Sequence, residues 1–247
     1  MLIAFSIISG LIIGSFLNVV IYRLPRRESV VGPGSRCPVC GHNLGAGDLI
    51  PVLSYIRQQG KCRYCRAGIS SRYPLTEIIT AAAFLSIWLQ WGLSWEGLAG
   101  VILTSLLIPA AGIDLEYGII PDRLTIPGII IGLLFAPLTV GFISSLAGAL
   151  LFGGVLFLAA LISRGGMGGG DIKLAAAIGA FTGWQGAVLA FILSSLLGGM
   201  GGLILLLSRK ADRKTAVKLG PFLALGGWTA YMWGTTMIDF YLNLLQG

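Results

Sequence analysis

Long apolar runs separated by short polar or glycine-bearing breaks fill most of the chain. Eight can be drawn, over residues 2–22, 75–91, 95–113, 124–140, 142–162, 172–181, 187–207 and 221–242. Most approach the roughly 20 residues that a helix needs to cross a bilayer. The pattern predicts an all-α polytopic membrane protein with about eight transmembrane helices. Run 172–181 is too short to span alone unless 182–186 also lies within the bilayer. The one long polar interruption follows the first run. The expected organisation is therefore a first transmembrane helix at 1–22, a loop domain at 23–74 and a seven-helix membrane domain at 75–247.

Composition agrees: 55% of the 247 residues are hydrophobic and 11% charged, with a mean hydropathy of +0.87. That balance excludes an ordinary soluble globular protein. Charge placement sets the orientation. Of the 17 Lys and Arg, nine lie within 23–72 and five within 209–218, and the others are Arg123, Arg164 and Lys173. With eight crossings all fall on one side, and the opposite turns, around Gly92, Gly141 and Gly183, carry none. By the positive-inside rule the basic side is cytoplasmic and both termini face out. The net charge of +7 then serves topology and attraction to anionic lipid. No nucleic-acid-binding module accompanies it, so no nucleic-acid partner is expected. Run 2–22 lacks a basic n-region and a small-residue cleavage site, and Arg23, Arg26 and Arg27 follow it; it reads as an anchor.

All four cysteines fall in the loop, as Cys37-Pro38-Val39-Cys40 and Cys62-Arg63-Tyr64-Cys65. Two CxxC knuckles about twenty residues apart match a structural zinc ribbon, because each supplies two thiolates and together they complete a tetrahedron. A small cytoplasmic zinc-ribbon domain inserted after the first helix is the expectation. Four thiolates leave no open coordination position, so the zinc is structural. His42, the single histidine, is expected beside the cluster and not in it. The apolar segment 49–56 is expected to form the ribbon's small core or an interfacial stretch against the bilayer, in preference to a ligand groove. Gly10 and Gly14 in the first run and the 198–202 glycine-rich stretch suit close helix packing. Asn18 suits an interhelical hydrogen bond.

Two aspartates stand apart. Asp114 follows the third run at its cytoplasmic end, and Asp171 follows Gly168-Gly169-Gly170 and opens the short sixth run, also at a cytoplasmic end. The two share one side of the membrane. The run Gly165-Gly166-Met167-Gly168-Gly169-Gly170 allows a close backbone approach, and a short sixth helix can hold Asp171 in a hydrated recess within the bilayer's thickness. A close carboxyl pair holding one proton can hydrolyse a peptide: the anion draws a proton from water while the acid donates to the carbonyl oxygen. Asp171, at a helix N-terminus, takes the part of the anion, and Asp114, at a helix C-terminus, that of the acid. Lys173 points away from Asp171 and anchors at the interface. Glu116 and Asp122 belong to a polar turn, and Asp239 falls on the outer side.

Taken together, Gly14-Ser15-Phe16-Leu17-Asn18-Val19-Val20-Ile21-Tyr22-Arg23-Leu24-Pro25, the two knuckles, Ser71-Arg72-Tyr73-Pro74-Leu75-Thr76-Glu77, Asp114 with Ile120-Pro121-Asp122, and Gly168 to Lys173 resemble the type IV prepilin peptidases. The resemblance implies a multi-pass aspartic endopeptidase of the bacterial inner membrane, of the Gly-Xaa-Gly-Asp type and distantly like presenilin in its catalytic motif, with its active site facing the cytoplasm. Family members cut the leader from type IV prepilins and type II secretion pseudopilins just after a glycine. By position, Asp114 and Asp171 match the catalytic aspartates. Members with the cysteine loop also methylate the new N-terminal amine, using S-adenosylmethionine. Leu49 departs from the family pattern, which commonly has asparagine before Ile-Pro, and this departure bears on the methyltransferase. The cysteine loop and Glu77 are where a methyl-donor site is first sought.

Other function classes make different demands. A proton-coupled transporter would use the two carboxylates to carry protons, and leaves the zinc ribbon without a role. A thiol-disulfide carrier built on the CxxC pairs requires cysteines free of metal. A zinc protease lacks its ligands, since there is no HExxH and only one histidine.

Overall fold

The computed structural model describes residues 1–163, 167–207 and 218–246. Arg164, Gly165 and Gly166, and Arg209, Lys210, Arg213 and Lys214 of the second basic cluster, lie outside the described residues. Among the described residues all regular elements are helical, and strand pairing is limited to two isolated bridges. The chain divides into two units, Met1–Gly97 and Leu98–Gly247.

In the first unit, α1 (Leu2–Arg23) lies against α3 (Arg72–Trp91) along a seam of small residues. A Cβ on Gly10 would stand 2.5 Å from Ala81 Cα, and one on Gly14 would stand 2.7 Å from Glu77 Cα. The helix backbones therefore touch, as the glycine spacing anticipates. Asn18 bridges the same pair by donating to Tyr73 O at 3.0 Å, the interhelical bond expected of it. At the end of α1 the buried Arg23 turns its guanidinium back onto Ser29 O and Gly34 O. The intervening loop carries a 3-10 turn, Ala46–Asp48, and a short helix α2, Leu53–Arg57. Leu53 and Ile56 are 66% and 65% exposed, which rules against segment 49–56 as a ribbon core and leaves the interfacial and ligand-groove alternatives.

The second unit holds most of α4 (Trp95–Tyr117), with α5 (Asp122–Phe135), α6 (Phe142–Ile162), α7 (Gly169–Leu207) and α8 (Gly220–Gln246). Two boundaries differ from the sequence expectation. Helix α4 continues past Asp114 to Tyr117 and stops at Gly118, whose φ is +66 and whose N–H reaches Asp114 O at 2.9 Å. The apolar run ends at the first carboxylate, but the backbone ladder continues to a left-handed glycine cap. Run 124–140 is broken after Phe135 by a 3-10 turn, Ala136–Leu138, containing Pro137. Fourteen residues of α5 reach about 21 Å, short of the roughly 30 Å of hydrocarbon.

Helix α7 is two helices joined at Gly183, where φ is 69 and ψ −179, a backbone state open essentially only to glycine. The chain reverses there. A straight helix would separate Ile178 from Ser194 by about 24 Å, yet a Cβ on Gly227 would meet Ile178 at 2.8 Å and one on the adjacent Gly226 would collide with Ser194 Oγ. The sixth and seventh apolar runs thus form a hairpin, as their separation by a glycine-bearing turn implied. Four helices among the described residues, Leu2–Arg23, Trp95–Tyr117, Phe142–Ile162 and Gly169–Ile204, are long and apolar enough to cross a membrane.

Glycines place α6 against this hairpin. A Cβ on Gly148 would lie 2.5 Å from Gly179 O, whereas one on Gly154 would have no neighbour within 4 Å. Gly148→Ala is expected to destabilise the second unit by about 1–3 kcal/mol. Gly154→Ala should be neutral or stabilising by up to about 1 kcal/mol. Denaturant unfolding in detergent compares the two.

Candidate active site and metal centre

Asp114 sits in the last turn of α4 with 6% exposure. Its Oδ2 accepts the Gly220 N–H at 2.8 Å, in a buried contact that spans 106 positions of sequence. Gly220 opens α8, and its N–H is one of the donors that a helix start leaves without an internal partner. A Cβ there would stand 2.8 Å from both Asp114 Cβ and Oδ2, so glycine is needed for the approach. Just before it, Lys218 Nζ donates to Leu115 O at 2.5 Å. These two bonds clasp the start of α8 to the end of α4.

Asp171 lies in the first turn of α7, half-buried, with its own N–H on Gly168 O at 3.1 Å. Two contacts bring this turn to the chain that follows Asp114. A Cβ on Gly170 would stand 2.7 Å from Ile120 O, so the glycine before the aspartate lets α7 press on the α4–α5 loop. Lys173 Nζ pairs with Asp122 Oδ2 at 2.6 Å, tying the start of α7 to the start of α5. Expected as an interfacial anchor, Lys173 binds a carboxylate. Asp171 Oδ1 is buried without a hydrogen-bond partner. Asp239 is nineteen residues along α8 from Gly220, about 29 Å by helical rise, and is far from the Asp114 contact.

Sequence reading missed Gly220 and Lys218. A signal was present: Gly220-Pro221 opens an apolar run on the side assigned to both aspartates, and proline just inside a helix start is a common entry signal.

In the first unit the four cysteines converge. Their Sγ atoms lie within 4.8 Å of one another, and Cys37 Sγ is 3.8 Å from Cys65 Sγ. A tetrahedron with Zn–S of about 2.3 Å has S···S edges of about 3.8 Å, so the donor set fits zinc. Each knuckle closes alike: the Gly41 N–H reaches Cys37 O at 2.9 Å, and the Arg66 N–H reaches Cys62 O at 2.9 Å. Both closing residues have positive φ, +71 and +62. The Cys40 backbone N–H is the main cause that lowers the Cys37 thiol to about 7. At Cys65 the Ala67 amide favours the thiolate, but desolvation and the bonds to Cys40, Cys62 and Cys37 outweigh it and push the thiol up to about 11. Crowded thiols lose a first proton readily and resist losing the last, and a bound dication removes that resistance. His42 is outside the set; its ring lies 3.6 Å from that of Tyr64, whose hydroxyl donates to Asp48 Oδ2 at 3.1 Å.

Comparison with known proteins gives one direction. Residues 8–91 match the model of the bacterial peptidase A24 N-terminal domain, and residues 101–203 match that of the type IV leader peptidase family. The chain is 37% identical over 268 residues to a prepilin leader peptidase/N-methyltransferase of Aeromonas salmonicida, covering 96% of this chain and 92% of the relative. It is 38% identical to one from Pseudomonas aeruginosa, with 96% and 92% covered, and 37% identical to one from Bacillus subtilis, with 97% and 98% covered. No solved structure matches the chain.

Proposed function

The chain belongs to the type IV leader peptidase family, and from that premise we propose that it is a bifunctional membrane enzyme. It cleaves the leader of type IV prepilins and type II secretion pseudopilins after a glycine and then methylates the exposed amine with S-adenosylmethionine. The observation that carries the reading is the docking of Gly170 on Ile120 and of Gly220 on Asp114, which gathers two acidic helix ends around one loop.

In this reading Asp114 and Asp171 hydrolyse the peptide bond without a covalent intermediate. One carboxyl group, ionised, takes a proton from the attacking water while the other, protonated, donates to the carbonyl oxygen; Gly220 occupies Asp114 Oδ2 and leaves Oδ1 for its part, and Asp171 Oδ1 has no hydrogen-bond partner. Cys37, Cys40, Cys62 and Cys65 hold a structural zinc that organises the 23–74 domain. Eight membrane crossings, counting the α7 hairpin as two and α5 together with the 3-10 turn that continues it, put the basic loops and both aspartates on the cytoplasmic side of the inner membrane.

Incubating the purified protein with a prepilin in detergent, with labelled S-adenosylmethionine, tests both activities. Leader release after glycine and label on the new N-terminus are expected; an intact prepilin would remove the peptidase reading. Gly220→Ala is expected to slow cleavage by about 10–100-fold, because displacing Asp114 by a fraction of an ångström misplaces its reacting oxygen. The same variant should keep its zinc.

A further inference from the structure

Glu77 is 7% exposed on α3, and neither the aspartate pair nor the cysteine cluster uses it. Its Oε2 accepts the Val52 N–H at 2.7 Å. An ionised carboxylate has about four acceptor positions. No cation accompanies Glu77 among the described residues: Arg23, also buried in this unit, gives its guanidinium to Ser29 O and Gly34 O. A buried anion without a counter-ion is costly. Within a membrane protein such a residue marks a site for a cationic partner.

Two further observations lie beside it. One helical turn from Gly14, which packs on Glu77 Cα, Asn18 is 2% exposed and its Oδ1 has no hydrogen-bond partner. The amide orientation is set by its surroundings, because Nδ2 faces Gly14 O and Tyr73 O, which only accept. The covering segment is also strained. Val52 has φ 60 and ψ −48, and Leu53 N reaches Pro51 O at 2.6 Å, a three-residue turn rarely adopted and least suited to a β-branched residue. The Glu77 carboxylate holds that turn in place. Strain over a buried, uncompensated charge is a pattern of binding sites.

We propose that Glu77, with Asn18 Oδ1 beside it, is the acceptor site for the N-terminal ammonium of the cleaved substrate in methyl transfer. The inference rests on the methyltransferase reading above. An ammonium has three N–H groups and matches a site made of oxygen acceptors, which a sulfonium does not; the methyl donor carries an ammonium too, on its amino-acid end, but only the peptide's must give up a proton to become the nucleophile, and a carboxylate is the group that can take it. The cavity of ≈ 340 Å³ lined by Arg57, Gln58, Arg63 and Arg66 has the opposite charge and does not suit an amine. In the step itself, Glu77 takes one proton from the ammonium and frees the nitrogen lone pair. The N–C bond forms as the methyl C–S bond breaks, and its electron pair stays on sulfur as a neutral thioether. The methylated ammonium then leaves Glu77 protonated, and that proton passes to water.

Binding of a synthetic peptide that begins at the mature N-terminus, compared with its N-acetylated form, tests the site directly by fluorescence anisotropy. The wild type is expected to prefer the free amine by about tenfold or more, and Glu77→Gln to lose that preference. In the labelled-methyl assay on the same peptide, Glu77→Gln should be about 100-fold slower, with Glu77→Asp recovering part of the rate. Zinc content should be unchanged in both variants. Equal binding of the two peptides by the wild type overturns the proposal, and needs no variant to fold. So does a Gln variant that keeps the preference or the wild-type rate. A wild type that prefers the amine yet transfers no label sinks the methyltransferase reading and leaves the ammonium site standing.

Discussion

Asp114→Asn and Asp171→Asn are each expected to reduce prepilin cleavage by about 10⁴-fold, with little change in folding. The amide is nearly isosteric with the carboxyl group. At position 114 it keeps an oxygen that can accept the Gly220 N–H seen at 2.8 Å, so the start of α8 stays docked. What the substitution removes is the capacity to give or take a proton. Because the two carboxyl groups act as one unit in the proposed step, the double variant should be no slower than either single one. Quenched-flow or gel assays of leader release, with melting temperature as the folding control, make the comparison. Either single variant cleaving at more than about a tenth of the wild-type rate would remove the dyad mechanism.

Stripping the metal should have the next largest effect. Between α1 and α3, over residues 24–71, regular structure amounts to a five-residue helix, one 3-10 turn and two isolated bridges, too little to hold a fold by itself. Binding of structural zinc by thiolates contributes about 10–16 kcal/mol in small domains, far more than the loop's own packing. Cys37→Ser and Cys62→Ser, at the two buried cysteines of the cluster, are expected to lower bound zinc from about one per chain to less than about a tenth. Protease nicking within 29–70 should accelerate, and a strong chelator should reproduce it on the wild type. Metal analysis with a timed digest reads both effects. A loop that stays resistant without metal would show that zinc is incidental to its fold.

The same substitutions separate the two activities. Glu77 belongs to α3 but accepts from Val52 of the loop, so loss of the loop's order releases the turn over Glu77. Methylation should therefore fall with zinc loss at least as far as it falls in Glu77→Gln.

Much of this is legible in the order of residues, for local reasons. The apolar runs mark the long helices because helix periodicity and bilayer thickness act over about 20 consecutive residues. The CxxC spacing marks the thiol cluster because a knuckle is closed by hydrogen bonds four residues apart, as at Gly41 and Arg66. Gly92, Gly141 and Gly183, the uncharged turns of the hydropathy pattern, all adopt positive φ. Boundaries are less legible. Hydropathy places Asp114 beyond its helix because it falls at a carboxylate whether or not the backbone ladder stops there. Run 124–140 reads as one span because a 3-10 turn at Pro137 leaves the apolar character unchanged.

Sequence alone determined the family, the kind of chemistry and the residues proposed to carry it: two aspartates at helix ends, four thiols in two knuckles, and glycines where chains approach. Only the tertiary structure decided which of those glycines mattered and what they touch. Gly220 and Asp114 are 106 positions apart, and Val52 and Glu77 are 25 apart. No local periodicity reports such contacts, because they depend on how separate helices pack. A hydrogen bond from one helix start to the carboxylate ending another exists only once both helices are in place.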